Sequence, residues 1–220
     1  MDVLEDEINL EIISGSKKRY VYRLLKRLID IVASTVGMIL LLPVFIVVAV
    51  MIKIDDPKAP IFFIQVRVGK KGKQFKMYKF RSMCVGAEEK LTELLEFNEI
   101  KGAMFKMKKD PRVTVIGKFI RQTSIDELPQ LWNIFIGNMT LVGPRPPLPR
   151  EVIEYSSYDK QRLVVKPGCT GLWQISGRNG LHFDEMVKLD IEYINRSSII
   201  LDIVIILRTP IAMLKSKNAY

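Results

Sequence analysis

A helix-rich, mixed α/β fold that begins in a membrane is the prediction for this 220-residue chain, and three observations make it. An uncharged run of 22 residues, Ile31 to Ile52, carries a proline near its middle. Two short apolar and aromatic stretches between Ala59 and Met83 flank Lys70-Lys71-Gly72-Lys73, the pattern of a small β-hairpin. Four later segments space their apolar residues as helices do: Glu88 to Phe97, Leu128 to Ile136, Asp184 to Ile194 and Ile199 to Leu207.

The length suits one domain with a modest appendage, and 48% hydrophobic with 26% charged residues excludes a disordered or fibrous chain. Thirty-four Lys plus Arg against 24 Asp plus Glu leave a net charge of +10, which draws the protein toward nucleic acid, anionic lipid or a phosphorylated substrate. Cys84 and Cys169 are too few for a disulfide framework, and with a single histidine they argue against a zinc site. The composition suits a reducing compartment.

As a helix the Ile31–Ile52 run is roughly 33 Å long, enough for a bilayer core of about 30 Å. It is too long for a signal-peptide core and no small-residue cleavage site comes after it. Lys17, Lys18, Arg19, Arg23, Lys26 and Arg27 precede it, which reads as a cytoplasmic flank. The other flank, Lys53 to Arg81, holds nine basic residues against Asp55 and Asp56, so both ends favour the same side. Pro43 removes a backbone hydrogen bond and clashes with the preceding turn. A re-entrant helix–break–helix and a straight, proline-kinked span both fit, with Ser34 and Thr35 available to satisfy freed backbone groups. Residues 1–22 read as an acidic tail and basic lead-in, 23–54 as the membrane hairpin, 55–214 as a compact domain and 215–220 as a tail. Asp202 interrupts the last apolar run, which is therefore a buried or interfacial helix, and Pro210 is expected to break or kink the chain beyond it.

The candidate chemistry lies between Asp110 and Arg178. Asp126 and Glu127 are adjacent acids in RQTSIDELPQLWN, with Arg121 five residues before Asp126. Such a pair suits phosphate chemistry, one carboxylate attacking phosphorus or holding a hard metal ion while the other handles a proton or completes the metal shell. Ser124-x-x-Glu127 is equally a capping box, with Pro129 starting a helix slightly later. Arg145 projects from the stiff loop Gly143-Pro144-Arg145-Pro146-Pro147, where a guanidinium suits a bidentate phosphate contact. Pro167-Gly168-Cys169-Thr170-Gly171 and Gly177-Arg178-Asn179-Gly180 are turns whose backbone amides and arginine suit an anion, or are simply turns. His182 reads as a surface or packing residue, and Trp132 and Trp173 as core or interface anchors.

The order of the pieces is more specific than any piece. Lys26-Arg27-x-x-Asp30, FFIQVRVG, YKFRSM, DPRVTVIGKFIRQTSIDELPQLWN, LVGPRPPLPREV, KPGCTGLWQISGRN and LDIEYINRSSIILDIVIILRTP together resemble the bacterial sugar transferase family over residues 23–214. These are small monotopic phosphoglycosyl transferases, and the likeness is to their short, single-hairpin type. The resemblance implies transfer of sugar 1-phosphate from a UDP-sugar to undecaprenyl phosphate, with UMP released, as the first step of exopolysaccharide, capsule or glycan assembly. It implies Mg²⁺, held by Asp126 and Glu127, and Asp126 as nucleophile with Glu127 assisting. Arg112, Arg121, Arg145, Lys79, Arg81 and, more loosely, Arg178 fall in its phosphate-binding motifs. A re-entrant helix broken at Pro43 and a catalytic domain on the cytoplasmic face of the bacterial inner membrane are further expectations, with membrane lipids and no nucleic acid as partners. Ile125 and Cys169 depart from the usual residues without touching a proposed catalytic group. The alternative is a membrane-tethered anion-binding or adaptor protein that performs no chemistry.

Overall fold

The computed structural model describes residues 17–94, 96, 107, 109–177 and 181–215. Helices α1 (Lys17–Leu40) and α2 (Leu42–Asp55) open the chain. No described helix alone is long and apolar enough to cross a membrane; the stretch from Arg19 through α1 and α2 passes that test as a pair bent by 59°. The bend falls at Leu41, two residues ahead of Pro43, which occupies the first turn of α2. Leu41 N–H still reaches the Gly37 carbonyl (3.0 Å), and the ladder resumes with Phe45 N–H on Leu41 (2.9 Å). Pro43 has no N–H to offer between them, so the chain turns just before the residue that forces it. Ser34 does not serve the break: its hydroxyl donates back to the Asp30 carbonyl at 2.6 Å, inside α1.

The predicted β-hairpin is present, β1 (Phe62–Val68) against β2 (Gln74–Phe80), antiparallel from Phe62↔Phe80 to Val68↔Gln74. Its turn closes with Lys71 and Gly72 both at positive φ. Helix α3 covers only Leu91–Leu94 of the segment predicted from Glu88 to Phe97, part of which lies outside the described residues. Then come α4 (Val115–Gln122), a 3-10 turn at Ile125–Glu127 and α5 (Gln130–Ile136). Helix α4 starts on a cap, Thr114 Oγ1 accepting from Gly117 N–H at 2.9 Å. A Cβ on Gly117 would stand 1.9 Å from the Ser82 carbonyl oxygen, so glycine alone lets α4 rest on the chain leaving β2.

Strands β3 (Thr140–Val142) and β4 (Gly168–Thr170) form a short parallel pair that periodicity did not reveal. Between them lie α6 (Pro149–Ile153) and α7 (Ser157–Lys160), and after them α8 (Leu172–Ser176), α9 (Phe183–Arg196) and α10 (Ile199–Lys215). Helix α10 continues through Pro210 where a break was expected. Three small cores hold the layers together: Val48 and Ile52 of α2 with Phe80 and Ile120; Val142 with Tyr193, Ile194 and Ile205; and Met77 with Ile134 and Met139.

Polar side chains of α1 fasten it to the rest. Lys26 Nζ donates to Asp202 Oδ2 at 2.7 Å, and Tyr193 OH donates to Asp202 Oδ1 at 2.7 Å. Arg27 donates to the Ile134 and Phe135 carbonyls, both at 2.7 Å, closing the C-terminal end of α5. Asp30 Oδ1 accepts from Thr140 Oγ1 and Leu141 N–H. The acid that interrupts the last apolar run is therefore the anchor point of α1, and Lys26-Arg27-x-x-Asp30 is a docking motif.

Candidate active site

The acid pair stands on the 3-10 turn between α4 and α5, and its geometry differs from a capping box. Ser124 adopts φ 55°, ψ 18°, a left-handed conformation uncommon for a residue with a Cβ, and its side chain caps nothing. Glu127 turns instead to β2, where Lys79 Nζ donates to its Oε1 at 2.7 Å and lies 3.9 Å from Asp126 Oδ2. Pro129 takes the N-cap position of α5, close to its predicted place at the helix start.

Asp126 is 8% exposed. Burial pushes its carboxyl up to about 6, the Glu127 charge adds to the rise, and Lys79 and Arg121 oppose it. Burial acts to lower the Lys79 ammonium, but Glu127 and Asp126 overrule it and hold it above the ordinary lysine range. The result is one partly shared cation between two carboxylates, the more buried of which is the less compensated.

The other predicted residues divide. Arg121 ends α4 within the field of Asp126. Arg145 reaches Glu151 Oε2 at 3.4 Å from its proline-rich loop, and Glu151, almost wholly buried, also accepts from Leu148 N–H at 2.9 Å. Arg112 is buried and forked onto Asp110, Nη2 to Oδ2 at 2.6 Å and Nε to Oδ1 at 2.8 Å, with Nη1 on the Ala87 carbonyl. Burial acts to raise Asp110, and the bonds from Arg112 overrule it. Arg112 thus clamps the loop ahead of α4, and these bonds do not reach the acid pair. Arg81 donates to the Pro60 carbonyl at 3.0 Å and lies over the Phe63 ring, holding the linker after α2. Arg178 lies outside the described residues. Gly168 N–H is taken up by the Pro144 carbonyl and Gly143 N–H by the Thr170 carbonyl, both at 2.8 Å, while Asn179 and Gly180 of the second predicted turn lie, like Arg178, outside the described residues. A Cβ on Gly168 would stand 2.0 Å from Gly143 N, so these glycines permit the β3–β4 contact.

Two residues of the site escaped sequence reasoning. Arg67 is 7% exposed and points inward from β1, while Phe62, Ile64 and Val66 face out, the reverse of the usual alternation. Its Nη1 donates to the Pro146 carbonyl at 3.0 Å and Nη2 to Gln65 Oε1 at 2.6 Å, with Val68 N–H on Pro147 alongside. β1 therefore seats the loop that carries Arg145. Burial and the neighbouring Arg145 press the Arg67 guanidinium down to about 9, and Glu151 and Glu127 offset them. Asn133, fully buried in α5, donates to the Lys76 carbonyl at 2.7 Å and accepts from Tyr78 N–H at 3.0 Å, which fixes β2 and hence Lys79 against the acid turn. For Asn133 the available signal was a polar residue inside the apolar run of α5; for Arg67 there was none, because the alternation of β1 puts the apolar residues on the opposite face. Cys169, near the acids, stays a neutral packing thiol because burial pushes it up to about 12.

Among the described residues no three His, Cys, Asp or Glu side chains are grouped for a metal. Asp126 and Glu127 alone fit the magnesium habit of taking one or two protein carboxylates and completing its shell with water and substrate phosphate. Two acids on a tight turn, a lysine between them, Arg121 at the end of α4 and Arg145 on the proline loop are a set of side chains that suits phosphate chemistry.

Comparison with known proteins agrees. Residues 21–216 match the sequence profile of the family described as bacterial sugar transferase, and the chain belongs to that family. It is 51% identical over 201 residues to galactosyl transferase CpsE of Streptococcus agalactiae, covering 90% of this chain and 44% of the relative. It is 40% identical over 222 residues to undecaprenyl-phosphate galactose phosphotransferase of Salmonella typhimurium, covering 99% and 46%. Exopolysaccharide production protein ExoY of Rhizobium meliloti is 39% identical over 199 residues, covering 89% of this chain and 88% of its own. The chain thus spans less than half the length of the first two relatives.

Proposed function

We propose that this chain transfers sugar 1-phosphate from a UDP-sugar to undecaprenyl phosphate, releasing UMP, as an initiating step of exopolysaccharide, capsule or glycan assembly. The observation that carries the reading is the buried Asp126, held beside Glu127 by a lysine that both acids share, in a chain one of whose relatives is named undecaprenyl-phosphate galactose phosphotransferase and another an exopolysaccharide production protein. Asp126 attacks the sugar-bearing phosphorus of the donor, and the bond to the bridging oxygen breaks with its electron pair leaving on UMP. An oxygen of undecaprenyl phosphate then attacks the same phosphorus, breaking the acyl phosphate and restoring the Asp126 carboxylate. The proton balance is unchanged.

A carboxylate attacking an anionic phosphoryl group needs adjacent positive charge. Lys79 and Arg121 supply it beside Asp126, and Arg145, seated by Arg67, supplies it from the proline loop. Burial leaves the ionised Asp126 poorly solvated and hence a stronger nucleophile. Asp126 and Glu127 would hold Mg²⁺, which when bound offsets charge on the donor diphosphate. The bent α1–α2 pair enters one leaflet from the cytoplasmic face of the inner membrane and keeps the acids at headgroup level, where the acceptor phosphate lies.

The test is UMP release from the full chain in nanodiscs with undecaprenyl phosphate, Mg²⁺ and a panel of UDP-sugars, UDP-galactose first because two relatives are named for galactose. Release that EDTA abolishes, with a sugar-phosphate mass gain on the Asp126 peptide when acceptor is omitted, is the expected outcome. UMP release without any adduct would replace the covalent route by direct transfer. No release with any donor would leave the non-catalytic adaptor.

A further inference from the structure

The geometry points to a second anion site, for the phosphate of an anionic lipid headgroup, formed by Arg23 and Arg27 of α1, Lys70 and Lys71 of the β-hairpin turn, and Lys166 ahead of β4. Three segments distant in sequence converge there. Arg23 and Arg27 stand one helical turn apart on the same face of α1. The hairpin turn packs on the Gln161–Val164 turn, which brings Lys70 alongside the loop that carries Lys166. Gly137 ends α5, and a Cβ on it would stand 3.2 Å from Arg27 Nη2 and 3.4 Å from Lys166 Nζ, so Lys166 closes on the Arg27 guanidinium, whose Nη1 and Nη2 each also donate to a carbonyl at the end of α5.

The cluster gathers like charge. Lys70 feels Arg23 and Lys71, and Lys166 feels Arg27 and Lys70; partial burial first, and these neighbours with it, lower both ammonium groups below the ordinary lysine range. The carboxylate that acts on Lys166 is Asp30, whose Oδ1 already accepts two hydrogen bonds from β3. The cluster is separate from the acid pair, since Asp126 precedes α5 and Gly137 ends it, with a seven-residue helix about 10 Å long between them. Arg23 and Arg27 also lie just ahead of the apolar run that starts at Ile31, the depth of lipid phosphates if α1 and α2 enter a leaflet.

Native mass spectrometry of the detergent-held full chain, titrated with phosphatidylglycerol or phosphatidylcholine, tests the site without using turnover. Wild type retains phosphatidylglycerol preferentially. Lys70→Gln, at an exposed turn, weakens that retention about fivefold and Lys70→Gln/Lys166→Gln by a further fivefold, the factor one cation contributes near an anionic surface. Phosphatidylcholine retention and Tm in the same variants report the fold. Displacement of phosphatidylglycerol by millimolar inorganic phosphate would identify the phosphate alone as the ligand, and persistence would assign the intact headgroup. Equal phosphatidylglycerol retention by wild type and the double variant overturns the proposal.

Discussion

Asp126 and Asp190 are both buried aspartates that burial pushes up to about 6, and each faces a cation, yet only Asp126 is proposed as the reacting group. Asp190, on α9, is fully enclosed and paired with Arg162, whose Nη1 donates to Tyr155 OH and whose guanidinium lies over the Tyr155 and Phe183 rings. Asp126 keeps an opening to solvent, stands on a turn bent by left-handed Ser124, and shares its lysine with a more exposed second acid. A shifted carboxyl therefore marks burial in both places. Access and incomplete compensation separate the proposed reagent from a strut.

Substitution at the two aspartates gives the largest test of that contrast. Asp126→Asn should lower UMP release at least about 10⁴-fold, because an amide is no nucleophile, while the fold is retained. The Asp126 carboxyl sits above its unfolded value, so its contribution to stability is full below about 3.8 and is lost as pH rises through about 6. The Asn variant should accordingly match wild type in Tm at low pH and exceed it above about 6. Asp190→Asn should leave activity per folded molecule unchanged, its effect being confined to stability, where Arg162 loses its buried charge partner. Equal effects of the two changes on turnover would erase the distinction.

Lys79→Met comes next, with a fall in kcat of about 10²–10³-fold, and it sharpens the contrast through pH. In wild type the rate should drop as pH falls through about 6 and Asp126 takes up a proton. Without the lysine that acid limb should move to higher pH, which a role confined to folding would not produce. Arg67→Lys keeps a charge but loses the fork that joins Pro146 and Gln65, and a rise of about tenfold in the KM for donor, with kcat little altered, is expected from a misplaced Arg145 loop. The smallest effect belongs to the docking network: Tyr193→Phe removes hydrogen bonds to Asp202 and the Val142 carbonyl and should cost about 1–2 kcal/mol of stability, read as Tm, with turnover unchanged.

The features legible in the sequence are those written in short stretches of chain. An uncharged run with Pro43 inside it announces a disturbance of the helix, because a missing N–H and a ring clash act within one turn, but left a bent pair and a kinked span both open until the structure showed the 59° bend. Two aromatic stretches around Lys70-Lys71-Gly72-Lys73 specify a hairpin, and the order of motifs identifies the family and, with it, the acid pair. Only the tertiary structure decided what those acids meet. Lys79 lies 48 positions from Glu127, and Asn133 lies 57 from Lys76, so no local period announces either contact. The capping box that Ser124 and Glu127 spell was overridden because the half-buried Lys79 offers Glu127 a stronger, charge-assisted partner than a helix amide does. Likewise Arg112, Arg145 and Gly168 look alike as motif members, and the fold separates them by partner: Arg112 forks onto Asp110, Arg145 reaches the buried Glu151, and Gly168 lets β4 approach the chain beyond β3. Local sterics and periodicity are properties of neighbours in the chain, whereas charge compensation and close backbone approach are properties of neighbours in space.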